Sequence, residues 1–172
     1  MGKRSNFEHR LMQKYYTPYE AVVPLLPHLP PHCDFIEPCA GDGRLIRHLN
    51  KHGHFCVYAC DISPEGEGIE KKDVLLFDNK FPKCDFIITN PPFEREPMHR
   101  MIEVFRQHAP TFLLFQSDWH DTKQSKPYME FCQKIIPVGR ISWMENGVSG
   151  FENMSWYLFT KEPNAGFAKF MY

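Results

Sequence analysis

The segment Glu37-Pro38-Cys39-Ala40-Gly41-Asp42-Gly43 is the strongest structural signal in the chain. It follows a short apolar run at residues 34–36, which favours a β-strand, and leads into residues 43–51, whose apolar side chains have helical spacing. Two glycines separated by one residue permit a tight turn and a close approach of the backbone to a ligand. The dinucleotide-binding pattern would need a third glycine where Ile46 stands. The segment therefore predicts a strand, a ligand-binding turn and a helix in succession.

The rest of the chain alternates between helix and strand patterns. Helices are predicted at residues 19–26, 98–108 and 128–134, and strands at 55–62, 74–76, 85–89, 111–115, 135–143 and 155–160. Strands without strict polar alternation, separated by helices, are typical of a mostly parallel sheet covered on both faces. We expect an α/β fold in one domain spanning residues 1–172, with the ligand beyond the carboxyl ends of the strands.

The composition is that of a globular protein, with 42% hydrophobic and 15% aromatic residues in 172. No apolar run reaches the roughly 20 residues that a membrane-spanning helix needs, and no signal-peptide pattern is visible at the amino terminus. We expect a cytoplasmic protein without membrane contact. The six cysteines include no C-x-x-C pair and the nine histidines are scattered, so we expect reduced thiols and no metal site.

The charge of the chain does not favour a protein that holds nucleic acid by bulk electrostatics. Its net charge is −1, whereas such proteins are usually basic. Two groups of basic residues could still form local patches, with an ordinary charged surface as the alternative for both: Lys3, Arg4, Arg10 and Lys14, and Arg95, Arg100 and Arg106.

A second candidate ligand residue is Asp61, near the end of the strand predicted at residues 55–62. An acid there can accept hydrogen bonds from both hydroxyls of a ribose, and its spacing of 20 residues from Gly41 suits that role. An exposed acid at the end of a strand is the alternative.

The segment Thr89-Asn90-Pro91-Pro92-Phe93 ends the strand predicted at residues 85–89. Consecutive prolines fix the backbone and remove two N–H donors, so the loop presents mainly acceptors, among them the Asn90 side-chain oxygen. Rigid acceptors can hold both hydrogens of an amino group and direct its lone pair at an electrophile. Phe93 offers a face on which a planar ring can stack. The loop predicts chemistry at an amino group, and a loop that only terminates the strand is the alternative.

Together these segments resemble the class I methyltransferases that use S-adenosylmethionine, and within them the N6-adenine type. The resemblance implies a Rossmann-like α/β fold, with a mostly parallel sheet and helices on both faces. It implies that the glycine segment, the acid after the second strand and the Asn-Pro-Pro-Phe loop bind the cofactor, through Glu37, Cys39, Ala40, Gly41, Gly43, Asp61, Ile62 and Asn90. It assigns catalysis to Asn90, Pro91, Pro92 and Phe93.

Two further segments fit the family's order of motifs. Tyr16-Thr17-Pro18, ahead of the glycine segment, resembles the motif that contacts the methionine end of the cofactor. Asp73-Val74 resembles the motif whose acid binds the adenine amino group of the cofactor, and Asp78 is an alternative for that acid. Five motifs in family order then run from Tyr16 to Phe93 and cover nearly half of the chain.

The carboxyl-terminal half contains candidates for substrate binding. The resemblance implies an aromatic side chain that helps to clamp a flipped base, and we favour Phe151 because Gly147-Val148-Ser149-Gly150 forms a loop beside it. Trp143 and Trp156 are alternatives, and all three could be core aromatics. Trp119, in the segment after the strand predicted at residues 111–115, would also face the site.

Two departures from the family pattern bear on function. Only eleven residues separate Asp61 from Asp73, too few for the usual crossover helix, so the adenosine side of the cofactor would be more exposed. No segment after Phe151 is long enough for a target-recognition domain. We therefore expect specificity to come from loops, from a second subunit in a homodimer or from a partner protein.

Methylation of N6 of adenine in DNA is the activity that the sequence favours. Adenine in RNA and the glutamine side chain of a protein are alternative substrates, because their enzymes share the Asn-Pro-Pro loop. The glutamine enzymes usually have tyrosine where Phe93 stands. A non-catalytic module that binds the cofactor or a partner is the alternative from another class. Nicotinamide-dependent oxidoreduction is disfavoured by the missing third glycine and by a loop built from acceptors.

Overall fold

A computed structural model describes residues 15–76, 81–166 and 168–171. The helices are α1 (Tyr19–Val22), α2 (Arg44–Lys51), α3 (Arg95–His108) and α4 (Lys126–Met129), and short 3-10 helices cover Leu26–His28 and Ser117–Asp121. The strands are β1 (Asp34–Glu37), β2 (Phe55–Asp61), β3 (Glu70–Lys71), β4 (Phe86–Thr89), β5 (Thr111–Gln116), β6 (Cys132–Arg140), β7 (Asn153–Phe159) and β8 (Lys169–Phe170).

The strands form one sheet in the order β3-β2-β1-β4-β5-β7-β6-β8. The strands from β3 to β5 run parallel, whereas β7 lies antiparallel between β5 and β6. The chain proceeds outward from β1 to β2 and β3, and then returns to β4 on the other side of β1. The strand order therefore reverses between β1 and β4, and in such sheets ligands bind outside the carboxyl ends of the strands at this reversal.

Apolar side chains cover both faces of the sheet. One face packs against α1 and α2 and the other against α3. The first layer includes Val22, Leu45, Leu49, Phe112 and Trp156, and the second includes Ile87, Met98, Ile102, Phe105 and Phe115. The predicted α/β fold with a mostly parallel sheet and helices on both faces is confirmed. Within the described residues, no helix combines the length and the apolarity needed to cross a bilayer.

Two predicted elements are wrong. Residues 74–76 form a turn rather than a strand, because the Asp73 side chain accepts the backbone N–H of Leu75 at 3.0 Å and bends the chain. The third strand is instead the two-residue β3, which pairs with the end of β2. The helix predicted at residues 128–134 ends at Met129, and Cys132 already begins β6, where pairing with β7 buries the apolar residues of this segment.

The two loops that the sequence identified leave the sheet at the same edge. In the pairing of β1 with β4, Ile36 lies opposite Ile87, so both strands end within a few residues of each other along this edge. The glycine segment follows β1 and Asn90 follows β4. The first turn of α2 is held in place by Asp42, whose carboxylate accepts the N–H of Arg44 at 2.9 Å. The topology thus brings the glycine segment and the Asn-Pro-Pro loop to one site.

Candidate active site

A cavity of about 410 Å³ opens at the carboxyl ends of β1, β2 and β4. This volume lies within the usual range for sites that hold small molecules or cofactors. Eleven predicted cofactor-binding residues line it: Tyr16, Thr17, Glu37, Cys39, Ala40, Gly41, Asp61, Ile62, Asp73, Val74 and Asn90. Two predicted catalytic residues, Pro91 and Pro92, line it as well. The structure therefore brings together residues that lie between Tyr16 and Pro92 in the sequence.

The glycine segment forms the floor of the cavity because its backbone adopts conformations that other residues rarely do. Gly41 has φ of 53° and Gly43 has φ of 74°, both in the left-handed region. The Tyr16 ring lies so close that a Cβ on Gly41 would be 3.2 Å from it. Gly43 is the residue that precedes α2 and does not itself line the cavity. The two glycines together allow the turn that connects β1 to α2.

Asp61 lies at the end of β2 and faces the glycine segment. One carboxylate oxygen accepts the N–H of Gly41 and the other accepts the N–H of Ser63, both at 2.8 Å. These bonds orient the carboxylate without using all of its acceptor positions, since an ionised carboxylate offers about four lone-pair sites. Asp61 can therefore accept further hydrogen bonds from hydroxyls of a ligand in the cavity.

Glu37 and Cys39 face the same cavity with raised pKa values. Burial, followed by the negative charges of Asp61 and Asp42, raises the pKa of Glu37 well above its ordinary value of 4.5. Within the described part of the chain, its Oε2 atom is buried and lacks a hydrogen-bond partner. Burial and the charge of Asp61 likewise raise the pKa of the Cys39 thiol well above its ordinary value. The thiol is therefore protonated at neutral pH and is a poor nucleophile.

Asn90 is held by its nitrogen and leaves its oxygen free. The side-chain Nδ2 donates to the backbone carbonyl of Tyr15 at 2.7 Å, which fixes the orientation of the amide. Among the residues that the structure describes, the buried Oδ1 finds no hydrogen-bond partner. A buried acceptor without a partner costs about 1–3 kcal/mol, so such groups are uncommon in native proteins. Pro91, buried beside it, has no N–H that could satisfy this oxygen.

Three aromatic side chains form a cluster beside the Asn-Pro-Pro loop. The rings of Tyr15 and Phe93 are stacked, with centroids 5.9 Å apart and an interplanar angle of 13°. Trp143 lies 5.5 Å from the Tyr15 ring and 5.9 Å from the Phe93 ring, tilted against both. We refer to Tyr15, Phe93 and Trp143 as the aromatic cluster. Such a cluster provides faces on which a planar ring can stack.

Several predicted site residues lie elsewhere. Pro18 precedes α1 and, like Phe93, does not line the cavity itself. Phe151 is 69% exposed and Trp156 is fully buried, where its Nε1 donates to the Ala21 carbonyl at 2.7 Å. Of the three aromatics considered for the clamp, Trp143 has its ring beside that of Phe93, with centroids 5.9 Å apart. The alternative acid Asp78 lies outside the described residues.

Trp119 is also placed away from the cavity. Its side chain is 6% exposed, donates through Nε1 to His99 at 3.0 Å, and packs edge-on against Phe115 and Tyr157. It is a member of the core layer against α3. Its position directly after β5 led to the prediction that it faces the site. The side chain points into the core instead, because this buries the large apolar surface of the indole ring.

Sequence reasoning missed several residues that line the cavity. These are Tyr15, Asp42, Arg44, Leu45, Lys72, Leu75, Glu94, Pro97 and Met101. Tyr15 adjoins the predicted Tyr16-Thr17-Pro18 segment, so its position was the available signal. Arg44 follows the second glycine directly. The contribution of α3 through Pro97 and Met101 had no local signal, because it depends on how that helix crosses the sheet.

No family model and no curated protein matches the sequence. Solved structures do match. A TehB-like SAM-dependent methyltransferase from Corynebacterium glutamicum has a TM-score of 0.56 at 14% identity, over 87% of this chain and 89% of that chain. A dimethyladenosine transferase from Plasmodium falciparum has a TM-score of 0.56 at 15% identity, over 86% and 63% respectively. The fold is that of the class I methyltransferases.

A third solved structure shows how broad this similarity is. The ribosomal protein L11 methylase from Lactobacillus delbrueckii subsp. bulgaricus has a TM-score of 0.55 at 16% identity, over 82% of this chain and 77% of that chain. The names of the matched proteins refer to an adenosine in one case and to a ribosomal protein in another. The fold is therefore compatible with different acceptors, and the choice of substrate must be argued from the site itself.

Proposed function

We propose that this protein transfers a methyl group from S-adenosylmethionine to an exocyclic amino group, with N6 of adenine in DNA as the preferred acceptor. The observation that carries the proposal is the Asn90 side chain, which lines the cavity and whose Oδ1 lacks a hydrogen-bond partner in the described chain. An amino group is the kind of ligand that would satisfy it.

The cavity residues fit the proposed cofactor. Asp61 retains acceptor positions for the ribose hydroxyls, and the buried Oε2 of Glu37 is a further polar atom without a partner in the described chain. Gly41 and Asp73 also line the cavity, and in this proposal they would contact the methionine part and the adenine amino group of the cofactor respectively. S-adenosylmethionine, when bound, supplies an electrophilic methyl group on a sulfonium centre.

The Asn-Pro-Pro loop prepares the amino group for reaction. The lone pair of an adenine amino nitrogen is conjugated with the ring, so the group is a poor nucleophile. The Asn90 Oδ1 and the Pro91 carbonyl would accept its two hydrogens and favour a tetrahedral nitrogen with a localised lone pair. The Tyr15 carbonyl holds the Asn90 amide so that its oxygen, and not its nitrogen, is available. Positioning and electrostatic preorganisation therefore account for the catalysis.

No strong general base is required in this scheme. The amino nitrogen carries a positive charge once it has gained the methyl group, and a cation of this kind releases its proton to water readily.

The aromatic cluster supports a planar acceptor. Stacking of a nucleobase on an aromatic side chain contributes about 1–3 kcal/mol, whereas an acyclic amide gains less from such a face. A base within a duplex would have to be flipped out, and a single-stranded base could enter directly. Glutamine methylation of a protein is the second candidate, supported by a net charge of −1, which is unusual for a nucleic-acid-binding protein.

The proposal is tested by offering the purified protein methyl-labelled S-adenosylmethionine with unmethylated DNA, RNA or a cell protein extract. Isothermal titration with the cofactor, run first on wild type and on Asp61→Ala, establishes binding to the cavity. We expect Asp61→Ala to weaken binding at least tenfold, since it loses charge-assisted hydrogen bonds. Label in the DNA supports the proposal as stated. Label only in RNA or only in protein would mean that the acceptor is that polymer and not DNA. Binding of the cofactor without transfer of the methyl group would support a non-catalytic module.

A further inference from the structure

The loop that carries Trp143, residues 141–150, is anchored to the body of the protein. Its base is closed by the N–H of Gly150, which donates to the carbonyl of Ile141 at 2.8 Å. The N–H of Ser142 donates to Oε1 of Glu20, in the first turn of α1, at 2.5 Å. Ser142 is 8% exposed, so its N–H is buried next to the residue that joins the aromatic cluster.

A second anchor holds the tip of the loop. The carboxylate of Glu145 forms an ion pair with Arg44 at the start of α2, with 2.5 Å between Oε2 and Nη1. Arg44 also pairs with Asp42 at 3.2 Å, and its guanidinium lies 5.4 Å from the centre of the Tyr16 ring. Glu145 has φ of 51°, a backbone conformation that is uncommon for residues other than glycine. Both anchors come from the helices on the side of the glycine segment, and together they set the position of Trp143.

We propose that Glu20 and Arg44 are positioning residues that hold the loop so that Trp143 stays against Tyr15 and Phe93. The loop would then close one side of the acceptor site. The proposed function identifies the ring that enters this site, and the inference about substrate affinity rests on it. The inference that Glu20 and Arg44 anchor the loop does not rest on the proposed function.

The two anchors differ in expected strength. Removing the Glu20 carboxylate leaves a buried N–H at Ser142 without its charged acceptor, which shifts the ratio of closed to open loop by about tenfold. The Arg44–Glu145 pair is partly exposed, with side-chain exposures of 27% and 52%. Pairs of this kind shift such a ratio by only about two- to fivefold. Glu20→Ala is therefore the more informative variant.

Acrylamide quenching of tryptophan fluorescence measures the position of the loop without any reaction. Trp119 is 6% and Trp156 0% exposed, so the quencher reaches Trp143 first. We expect Glu20→Ala to raise the quenching constant. Glu20→Gln keeps a carbonyl oxygen as acceptor and should give the wild-type value. Glu152→Gln, at an exposed acid just beyond the loop, is the matched control for a lost charge.

Kinetics then test the consequence for substrate binding. With an adenine-containing oligonucleotide, Glu20→Ala should raise KM about tenfold with a smaller change in kcat, and Glu20→Gln should restore KM. Glu145→Ala should give the same direction by a smaller factor, and serves as the second variant if Glu20→Ala fails to fold. Wild-type quenching in both Glu20→Ala and Glu145→Ala would overturn the inference. Because quenching needs no turnover, that failure is distinguishable from an absence of methyl transfer.

Discussion

Replacing Asn90 with alanine separates its contribution to chemistry from its contribution to stability. The side chain makes one hydrogen bond, from Nδ2 to the Tyr15 carbonyl at 2.7 Å. Its Oδ1 is buried and has no partner among the described residues. Residues retained for stability usually satisfy both ends of a buried amide. An amide that satisfies only one end is expected where a ligand completes the other.

The two effects on stability have opposite signs. Losing the bond to Tyr15 costs about 0.5–1.5 kcal/mol, and removing the unpartnered oxygen returns about 1–3 kcal/mol. Tyr15 is only partly buried, so water can reach its carbonyl in the variant. We therefore expect the free energy of unfolding of Asn90→Ala to lie between about 0.5 kcal/mol below and about 2.5 kcal/mol above that of wild type. Urea denaturation followed by circular dichroism measures it.

The effect on catalysis should be much larger. Removing one preorganised hydrogen bond to a reacting group typically lowers kcat by about 10²- to 10³-fold. We expect Asn90→Ala to lose turnover while its cofactor affinity changes little, because the remaining cavity residues are untouched. Asn90→Asp is the contrasting variant: it keeps acceptor oxygens but turns one toward the Tyr15 carbonyl, and should lower stability. Wild-type kcat in Asn90→Ala, or a loss of activity explained by unfolding, would refute the reasoning.

Three further variants test other parts of the account. Glu37→Gln should unfold at a higher urea concentration than wild type at pH 7, but not below about pH 4.5. Because the pKa of Glu37 is raised in the folded state, the folded protein binds more protons than the unfolded chain above about pH 4.5, and wild-type stability falls as the pH rises. Trp156→Phe should lower the free energy of unfolding by about 2–3 kcal/mol, because it leaves the buried Ala21 carbonyl unpaired and a void in the core; calorimetry measures this. Gly66→Ala should lower Tm and weaken cofactor binding, because the new Cβ would lie 2.8 Å from the backbone oxygen of Asp42 in the glycine segment. Gly166→Ala is the control and should change neither quantity, because open space surrounds that position.

The sequence predicted the central elements of the fold because their signals are local. The apolar run before Glu37, the two glycines after it and the spacing of Leu45 and Leu49 together specify β1, the turn and α2. The end of β4 at Thr89 was likewise marked by the prolines that follow. Once these elements were placed in a parallel sheet, the rule that its carboxyl edge binds ligands located the cavity.

The errors arose where distant contacts decide the structure. Leu75 and Leu76 favour a strand by propensity, but the Asp73 carboxylate captures a backbone N–H and turns the chain. The sequence did not identify which aromatic side chain packs beside Phe93, because Trp143 lies on a loop fifty residues further along the chain. The bond from Asn90 to the Tyr15 carbonyl spans 75 residues and has no sequence signature.

Identification of the methylated product tests the central claim most directly. DNA, RNA and protein that have been incubated with the wild-type protein and methyl-labelled S-adenosylmethionine would be digested to nucleosides and amino acids and analysed by mass spectrometry. We expect label in N6-methyladenine from DNA, and none with Asn90→Ala at equal protein concentration. Label on a carbon atom or a hydroxyl group, or undiminished labelling by Asn90→Ala, would contradict the claim that the Asn90 loop directs transfer to an amino group.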